Sequence, residues 1–311
     1  MARYLPTLTH KTTLLAVSFI ALALIPLSGS LFLQYIMFLL FIYLTLSVSW
    51  NIIAGYAGQL SLAHAAFFGS GAYAFALLVL SGFNPYLCIF IGGIIAVLCS
   101  FSVLPCFRLK GTYFAVGTLL LPEIMKVIII NVRELGGASG LSLPVPTEFS
   151  MAIHYYLSLI LAIVTVAATY FMVNSKLGYT LFAIGDDEDA AESVGIPTLK
   201  YKVIALFLSA FFAGLAGSIY THYILYIQPY HVFGIEWTIY PAFMVLLGGI
   251  RTLEGPIVGA VAFTILYYIL TIYITELSLI IFGFLLAIIT IIMPEGLVPR
   301  LSRLILKRRS A

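Results

Sequence analysis

Long apolar segments follow one another along almost the whole of this 311-residue chain, with few charges between them. Hydrophobic residues make up 62% of the sequence and charged residues 9%, whereas soluble globular proteins have about 45–50% apolar and about 25% charged residues. An apolar run of roughly 20 residues can cross the hydrocarbon core of a bilayer as a helix. The sequence therefore predicts an all-α polytopic membrane protein with about ten transmembrane helices, some of them broken.

The candidate spans leave no room for a soluble catalytic domain, so we expect residues 1–311 to form a single transmembrane domain. The spans are residues 12–28, 31–53, 63–80, 86–105, 112–131, 151–173, 201–226, 238–249, 256–273 and 278–293. The first is also compatible with a secretory signal, but a second apolar run follows within a few residues and favours a retained helix. No catalytic constellation and no metal-ligand spacing occurs, so we expect neither kind of site.

The basic residues predict how the spans are oriented. If the N-terminus lies inside, every Lys and Arg except Lys126 and Arg133 falls on the cytoplasmic side. The positive-inside rule then places both termini and the loop at residues 175–202 in the cytoplasm, as expected for a multi-pass protein of a bacterial inner membrane. Because topology explains these charges, the net charge of +3 gives no reason to expect nucleic-acid binding.

Residues 175–202 form the longest strongly polar interval and predict a short, capped helix. An N-cap candidate and a negatively charged first turn are supplied by Asp186, Asp187, Glu188 and Asp189. Gly195 suits the left-handed position after the helix, and Pro197 prevents continuation. The apolar side chains fall at i, i+1 and i+4 and are expected to form one small docking face, namely Ala190, Ala191 and Val194.

The segment at residues 51–73 predicts irregular backbone at membrane depth. Its apolar pattern is interrupted by Gly55, Gly58, Gly69 and Gly71. Broken helices are tolerated where they are buried in protein or line a watery cavity, so this segment is our candidate translocation pathway. Its candidate pathway residues are Asn51, Gln59, Ser61 and His64. Close helix packing through small residues explains the glycines equally well, and His64 alone also fits a hydrogen-bonded core histidine.

Two ionisable residues lie within the fifth span. Glu123 and Lys126 are three residues apart on one helix face, which predicts an ion pair. Because charge in hydrocarbon is costly, we expect the pair to face the interior of the helix bundle, with Glu123 on the substrate pathway. A structural ion pair is favoured over a proton relay.

Four stretches, in order, resemble the permeases of branched-chain amino-acid ABC transporters of the LivM type. The sequence Asp189-Ala190-Ala191 followed by Gly195 is similar to the EAA loop of ABC importer permeases. The other three stretches are NIIAGYAGQLSLAHAAFFGSGAY at 51–73, RLKGTYFAVGTLLLPEIMKVIIIN at 108–131 and LLGGIRTLEGPIVGA at 246–260. The resemblance implies the ABC importer permease fold. In the family, uncharged residues commonly stand where this chain has Arg251 and Glu254, a pair that either bonds locally or contacts an ATPase.

The resemblance also implies a function, namely ATP-driven, binding-protein-dependent import of branched-chain L-amino acids. The implied partners are two ATP-binding subunits, a second related permease subunit and an external solute-binding protein, in addition to the lipid bilayer. No phosphate-binding loop occurs here, so ATP and Mg would be held by the partner subunits and this chain would bind no cofactor. The residues implied in ATPase coupling are Asp187, Glu188, Asp189, Ala190, Ala191 and Gly195.

Three other functions remain open at this stage. A permease for urea or short amides would differ in its cargo and little in its fold. A proton-coupled secondary transporter would use Glu123 as the proton carrier and would need no ATPase. An intramembrane protease would need Ser139 as its nucleophile and a histidine as its base, although a glycine-rich turn explains this serine better.

Overall fold

The computed structural model describes residues 22, 24–145, 149–273, 283–284 and 296–300. Within these residues the chain is helical apart from short connections and one two-stranded sheet. The α-helices are α1 (Leu31–Asn51), α2 (His64–Leu80), α3 (Pro85–Ser100), α4 (Thr112–Asn131), α5 (Met151–Val173), α6 (Lys176–Asp186), α7 (Glu188–Ser193), α8 (Thr198–Ile224), α9 (Pro229–Val232), α10 (Glu236–Gly248) and α11 (Glu254–Tyr273).

The described part of the chain confirms a polytopic helical membrane protein. Six segments are long and apolar enough to cross a membrane, namely Leu31–Tyr56, Pro85–Arg108, Thr112–Asn131, Met151–Val173, Thr198–Ile224 and Pro229–Gly248. Two shorter apolar helices, His64–Leu80 and Glu254–Ile269, match the predicted segments 63–80 and 256–273. The predicted spans at 12–28 and 278–293 lie largely outside the described residues, so the total of ten stays a prediction.

Glycines bring α2, α3 and α8 into close contact at the centre of the bundle. A Cβ atom added at Gly217 of α8 would lie 2.0 Å from the carbonyl oxygen of Phe68 in α2. One added at Gly71 of α2 would lie 2.2 Å from the carbonyl oxygen of Gly214 in α8. The Ser218 hydroxyl also donates a hydrogen bond of 3.0 Å to the Gly71 carbonyl. Small residues at these crossings let the backbones approach, as in many membrane helix pairs.

The helix α1 lies at the centre of the fold and α4 lies at its edge. The fully buried side chains of α1 include Phe38, Ile42 and Leu46, and the helix packs against α5, α8, α10 and α11. In contrast, α4 packs mainly on α2 and on the 3-10 segment Phe101–Arg108 that precedes it. Among the described residues, one side of α4 therefore remains uncovered, and its exposed residues include Tyr113, Val116, Leu120, Glu123, Ile124, Val127 and Ile128.

A small antiparallel sheet joins the loop after α4 to the loop after α8. The strands are β1 (Leu141–Ser142) and β2 (Tyr226–Ile227), with Leu141 opposite Ile227 and Ser142 opposite Tyr226. The Tyr226 hydroxyl donates a hydrogen bond of 2.8 Å to the Ser139 carbonyl oxygen and reinforces the pairing. The two loops thus form one surface on the same side of the bundle.

The central helix crossing predicts a difference between two Gly→Ala substitutions. We expect Gly217→Ala to lower the free energy of unfolding by about 1–3 kcal/mol, because the added methyl group meets backbone that cannot move freely. The matched control is Gly117→Ala in α4, where the nearest atom is the flexible Leu109 Cδ1 at 3.2 Å. There we expect no loss, and up to roughly 1 kcal/mol of gain from helix propensity. Thermal unfolding in detergent checks both, and equal melting temperatures for the two variants would contradict this packing account.

Candidate functional site

The predicted break in the helical pattern is present between α1 and α2, but it is shorter than the predicted segment 51–73. Residues 64–73, with Gly69 and Gly71, belong to the regular helix α2, where close packing explains the glycines. After Asn51 the helix widens into a π-helical turn at Ile52–Tyr56, and the backbone is then irregular until α2 begins at His64. Gly58 adopts a left-handed conformation with φ of +68°, which a residue with a Cβ atom adopts only at a cost. The chain therefore turns at Gly58, which is exposed and lies against Gly185 of α6.

Side chains from three spans satisfy the backbone of this break. The Trp50 indole nitrogen donates a hydrogen bond of 2.8 Å to the Ser61 carbonyl oxygen. The Leu62 amide donates one of 2.9 Å to the Thr118 hydroxyl of α4, and the Leu62 carbonyl accepts one of 3.3 Å from the Thr238 hydroxyl of α10. Since lipid offers no such partners, these side chains make an irregular segment tolerable at this depth.

Three of the four predicted pathway residues in the break are sealed inside the bundle. Asn51 is 1% exposed, Ser61 and His64 are fully buried, and Gln59 is partly exposed. His64 Nε2 lies 3.2 Å from the Ser49 hydroxyl of α1 and 3.4 Å from the Ser209 hydroxyl of α8. Its Nδ1 has no hydrogen-bond partner within the described residues. These contacts fit the alternative of a core histidine that joins helices; a pathway role for these residues stays a prediction.

The predicted ion pair within α4 is confirmed, but its predicted orientation holds only for the Lys126 side chain, which is 18% exposed, and is wrong for Glu123. Glu123 and Lys126 are 2.5 Å apart, and the Glu123 side chain is 53% exposed rather than turned into the bundle. The reason is the position of α4 at the edge of this chain, which leaves the outward face of the helix uncovered. Glu123 also borders a cavity of about 130 Å³ that reaches Leu62 in the break and Phe233 in the loop before α10.

The predicted capped helix is confirmed as α7. Asp187 is its N-cap, and the Asp187 carboxylate accepts a hydrogen bond of 2.9 Å from the Ala190 amide. Glu188 and Asp189 fill the negatively charged first turn, which suits the positive end of the helix dipole. Gly195 follows the helix in the left-handed conformation, with φ of +86°. The helix is short because both of its ends are specified by sequence.

The predicted docking face needs one correction. Val194 is 75% exposed and Ala190 is exposed too, but Ala191 is only 4% exposed and lies against the chain itself. Residues four apart share a helix face, whereas neighbours are separated by about 100° of rotation. The expectation that Ala191 belongs to the exposed face is therefore wrong. The exposed surface of α7 includes Ala190 together with Asp189, Glu192 and Ser193, and it continues onto Val194 directly after the helix.

Acidic side chains around α7 bond to basic residues of three other elements. The pairs are Asp186 with Arg251 at 2.7 Å, Asp189 with Lys110 at 2.8 Å, and Glu188 with Lys202. The hydrogen bond from Lys110 lowers the pKa of the Asp189 carboxyl and raises the pKa of the Lys110 ammonium group. Arg251 thus bonds to Asp186. The sequence had suggested two other roles for Arg251, a local pair with Glu254 or a contact with an ATPase.

Within the described residues, no hydrogen bond joins the Ser139 hydroxyl to His154 or His222. His154 Nδ1 lies 2.8 Å from the Ser150 carbonyl oxygen, and His154 Nε2 lies 3.2 Å from that of His222. Ser139 itself ends a 3-10 turn and is exposed. These positions favour the turn over a proteolytic serine. Within the part of the chain that the structure describes, no three His, Cys, Asp or Glu residues are grouped to hold a metal ion.

The hydrogen bonds across the break predict unequal effects of two Thr→Val substitutions. Thr118→Val removes the acceptor of the Leu62 amide, and an unsatisfied buried donor costs about 1–3 kcal/mol. Thr165 is equally buried, but its hydroxyl bonds only to the Leu161 carbonyl of its own helix. We expect Thr118→Val to lower the melting temperature in detergent clearly more than Thr165→Val. A greater loss in Thr165→Val would show that the break does not depend on Thr118.

Comparisons with known proteins place this geometry in a family. The profile described as "Branched-chain amino acid transport system / permease component" matches residues 32–290. The high-affinity branched-chain amino acid transport system permease protein LivM of Escherichia coli (strain K12) is 27% identical over 290 residues, which cover 83% of this chain and 68% of that protein. The probable branched-chain amino acid transport permease protein LivM of Methanocaldococcus jannaschii is 25% identical over 216 residues, 63% of each chain.

A more distant similarity reaches a permease named for another cargo. The autoinducer 2 import system permease protein LsrC of Yersinia pseudotuberculosis (serotype O:1b) is 26% identical over 163 residues, 50% of this chain and 46% of that protein. No solved structure gives a significant match. Because the profile covers most of the sequence, this chain belongs to the family of permease components of branched-chain amino acid ABC transporters, whose members are membrane-spanning transport subunits rather than enzymes and leave ATP hydrolysis to separate subunits.

Proposed function

We propose that this chain is the membrane-spanning subunit of an ATP-driven, binding-protein-dependent importer for branched-chain, hydrophobic L-amino acids. The observation that carries the proposal is α7, a helix capped at both ends whose small face at Ala190 and Val194 is exposed. A short rigid helix held on the bundle by ion pairs is suited to receive a push from another protein. The family membership supports the transport role, and the similarity to branched-chain amino acid permeases supports the cargo.

The proposed partners follow from the surfaces that the chain leaves open. Two ATP-binding subunits, which hold ATP and Mg, would bind the coupling loop at residues 175–202 through α7. The residues closest to that contact are Asp187, Glu188, Asp189, Ala190 and Gly195. An external solute-binding protein would dock on the surface made by β1 and β2, on the side of the bundle opposite α7. With ten spans in one domain, the chain would lie in a bacterial inner membrane, with both termini and α7 on its cytoplasmic side.

The uncovered face of α4 is the proposed contact with a second, related permease subunit. Glu123 lies near the middle of α4 and is half exposed. A carboxylate at that depth is costly when it faces hydrocarbon, so membrane proteins turn such groups toward protein or water. The cavity beside Glu123 connects this face with Leu62 of the break. The substrate pathway would therefore run between the two permease subunits, along α4 and the break.

The proposed mechanism is alternating access. ATP-driven closure of the partner subunits would move α7 and, with it, the spans that anchor it, so that the bundle opens to one side and then to the other. A permease for urea or short amides would work in the same way with another cargo. A proton-coupled carrier built around Glu123 would give the capped helix and its three ion pairs no purpose.

Disruption of the exposed face of α7 tests the proposed coupling. Val194→Arg puts a large charged side chain on this face without touching the buried Ala191, so we expect it to prevent ATPase subunits from co-purifying with the chain from native membranes. The control is Val145→Arg, at a position of similar exposure, 72%, on the other side of the bundle. Retention of an ATPase by Val194→Arg, or its absence from the natural chain, would contradict the docking role.

Water accessibility tests the proposed pathway along α4. In a chain with Cys88, Cys99 and Cys106 replaced by serine, we expect Leu120→Cys in the assembled transporter to react with a membrane-impermeant thiol reagent. Ile94→Cys on α3 is the control, because both positions lie in a span and are 54% and 42% exposed in the single chain. A lipid-facing thiol does not ionise readily and reacts slowly. Equal or faster labelling of Ile94→Cys would place the pathway elsewhere.

A further inference from the structure

Arg251 joins the segment before the docking helix to the broken span. Its guanidinium Nη1 donates a hydrogen bond of 2.7 Å to the Asp186 carboxylate, the last residue of α6, and Nη2 donates one of 3.2 Å to the Phe182 carbonyl oxygen of the same helix. Two separate bonds from one planar group fix the direction as well as the distance of a contact. The end of α6 is therefore held in a defined position relative to Arg251.

The backbone of the same residue is bonded to the start of the break. The Arg251 amide donates a hydrogen bond of 3.2 Å to the Asn51 side-chain oxygen, and the Asn51 side-chain nitrogen donates one of 2.9 Å to the Thr252 carbonyl oxygen. Asn51 is 1% exposed and is the last residue of α1 before the π-helical turn. Arg251 also adopts a left-handed conformation, with φ of +65°. Such conformations persist in non-glycine residues only where the surroundings impose them.

Direct packing reinforces the same connection. A Cβ atom added at Gly58, the turn of the break, would lie 2.8 Å from the Cα atom of Gly185 in α6. The rings of Tyr56 in the π-helical turn and Phe182 in α6 meet edge to face, with centroids 5.3 Å apart. The helix that leads into α7 thus rests on the broken segment without intervening side chains at its closest point. Because the two backbones already touch here, a displacement of α6 would also displace the break.

We propose that Arg251 is a positioning residue that transmits movement of α7, through α6, to the break at Asn51 and Gly58. The proposal rests on the proposed function, since it assumes that an ATPase moves α7. Coupling between two sites needs an element with which both are in physical contact. Arg251 contacts α6, which leads into α7, and Asn51 at the start of the break. Its guanidinium is bonded to α6 and would move with that helix, and its backbone amide is bonded to the Asn51 side chain at the end of α1.

The pair of Lys110 with Asp189 provides a contrast on the same loop. Its distance, 2.8 Å, is close to that of the Arg251 pair, but both of its side chains are more than three quarters exposed, whereas the Arg251 side chain is 32% and the Asp186 side chain 70% exposed. A solvated ion pair of this kind contributes little, and Lys110 precedes α4 rather than contacting the break. An equal loss of charge at the two positions therefore separates transmission through Arg251 from the general electrostatics of the loop.

The test measures the response of the break to nucleotide in the assembled transporter. Leu60→Cys, in a chain without other cysteines, reports on the break because Leu60 lies within it and is 50% exposed. Its labelling by a water-soluble thiol reagent is compared with and without ATP and vanadate, in the natural background, in Arg251→Gln and in Lys110→Gln. We expect Arg251→Gln to retain the co-purified ATPase but to reduce the nucleotide-dependent change at least about fivefold, the lower end of ordinary coupling between sites. Lys110→Gln should keep the response.

Two additional results complete the test. Reversal of the pair, with Arg251→Asp and Asp186→Arg together, should restore part of the response that Arg251→Asp alone loses. A full response in Arg251→Gln, an equal loss in Lys110→Gln, or a natural chain that retains its ATPase but shows no nucleotide response would overturn the role of Arg251. The last of these outcomes leaves the proposed function standing. If the natural chain retains no ATPase, the proposed function fails and the role of Arg251 fails with it.

Discussion

The structure depends on one constraint, that every backbone amide and carbonyl at membrane depth must find a partner inside the protein. Helices meet it by themselves, but the segment between α1 and α2 does not. There the indole of Trp50 and the hydroxyls of Thr118 and Thr238 bond to the backbone of Ser61 and Leu62. Because these side chains come from three different spans, the break cannot move without changing the positions of α4 and α10. It is thus a defined structural element and not a flexible loop.

The same constraint explains how a push on the docking helix would reach the broken span. The helix α6 touches the break at Gly58 and Tyr56. Arg251 bonds to Asp186 of α6 and to Asn51, where the break starts. A segment that is packed against α6 and bonded at Ser61 and Leu62 has few alternative arrangements, so a small displacement is expected to produce a discrete change. This account makes the docking helix, the break and the exposed face of α4 parts of one proposed pathway.

Local sequence signals were sufficient for the elements that are specified locally. The glycines at 55 and 58 predicted the break, and the acidic run with Gly195 predicted the capped helix α7, since both depend on backbone conformation and on neighbours in the chain. The apolar runs also predicted the helical segments between residues 31 and 273. The prediction that Ala191 is exposed is wrong, because a pattern of small residues does not tell which side of a helix packs against its own chain.

Tertiary and quaternary contacts account for what the sequence did not reveal. The bonds from Arg251 to Asp186 and Asn51 join residues about 65 and 200 positions apart, a separation over which charge pattern alone selects no partner. The outward direction of Glu123 was also missed, because the cost of a carboxylate in hydrocarbon fixes only that it must avoid lipid. It leaves open whether the same chain or another subunit covers it.

The most direct measurement is uptake of radiolabelled L-leucine into proteoliposomes that contain the assembled transporter, with its solute-binding protein outside and ATP inside. The account predicts uptake that requires internal ATP, is competed by isoleucine and valine but not by urea, and is unaffected when the pH gradient is collapsed. Uptake that needs no ATP and follows the pH gradient would contradict it and would favour a proton-driven carrier built on Glu123.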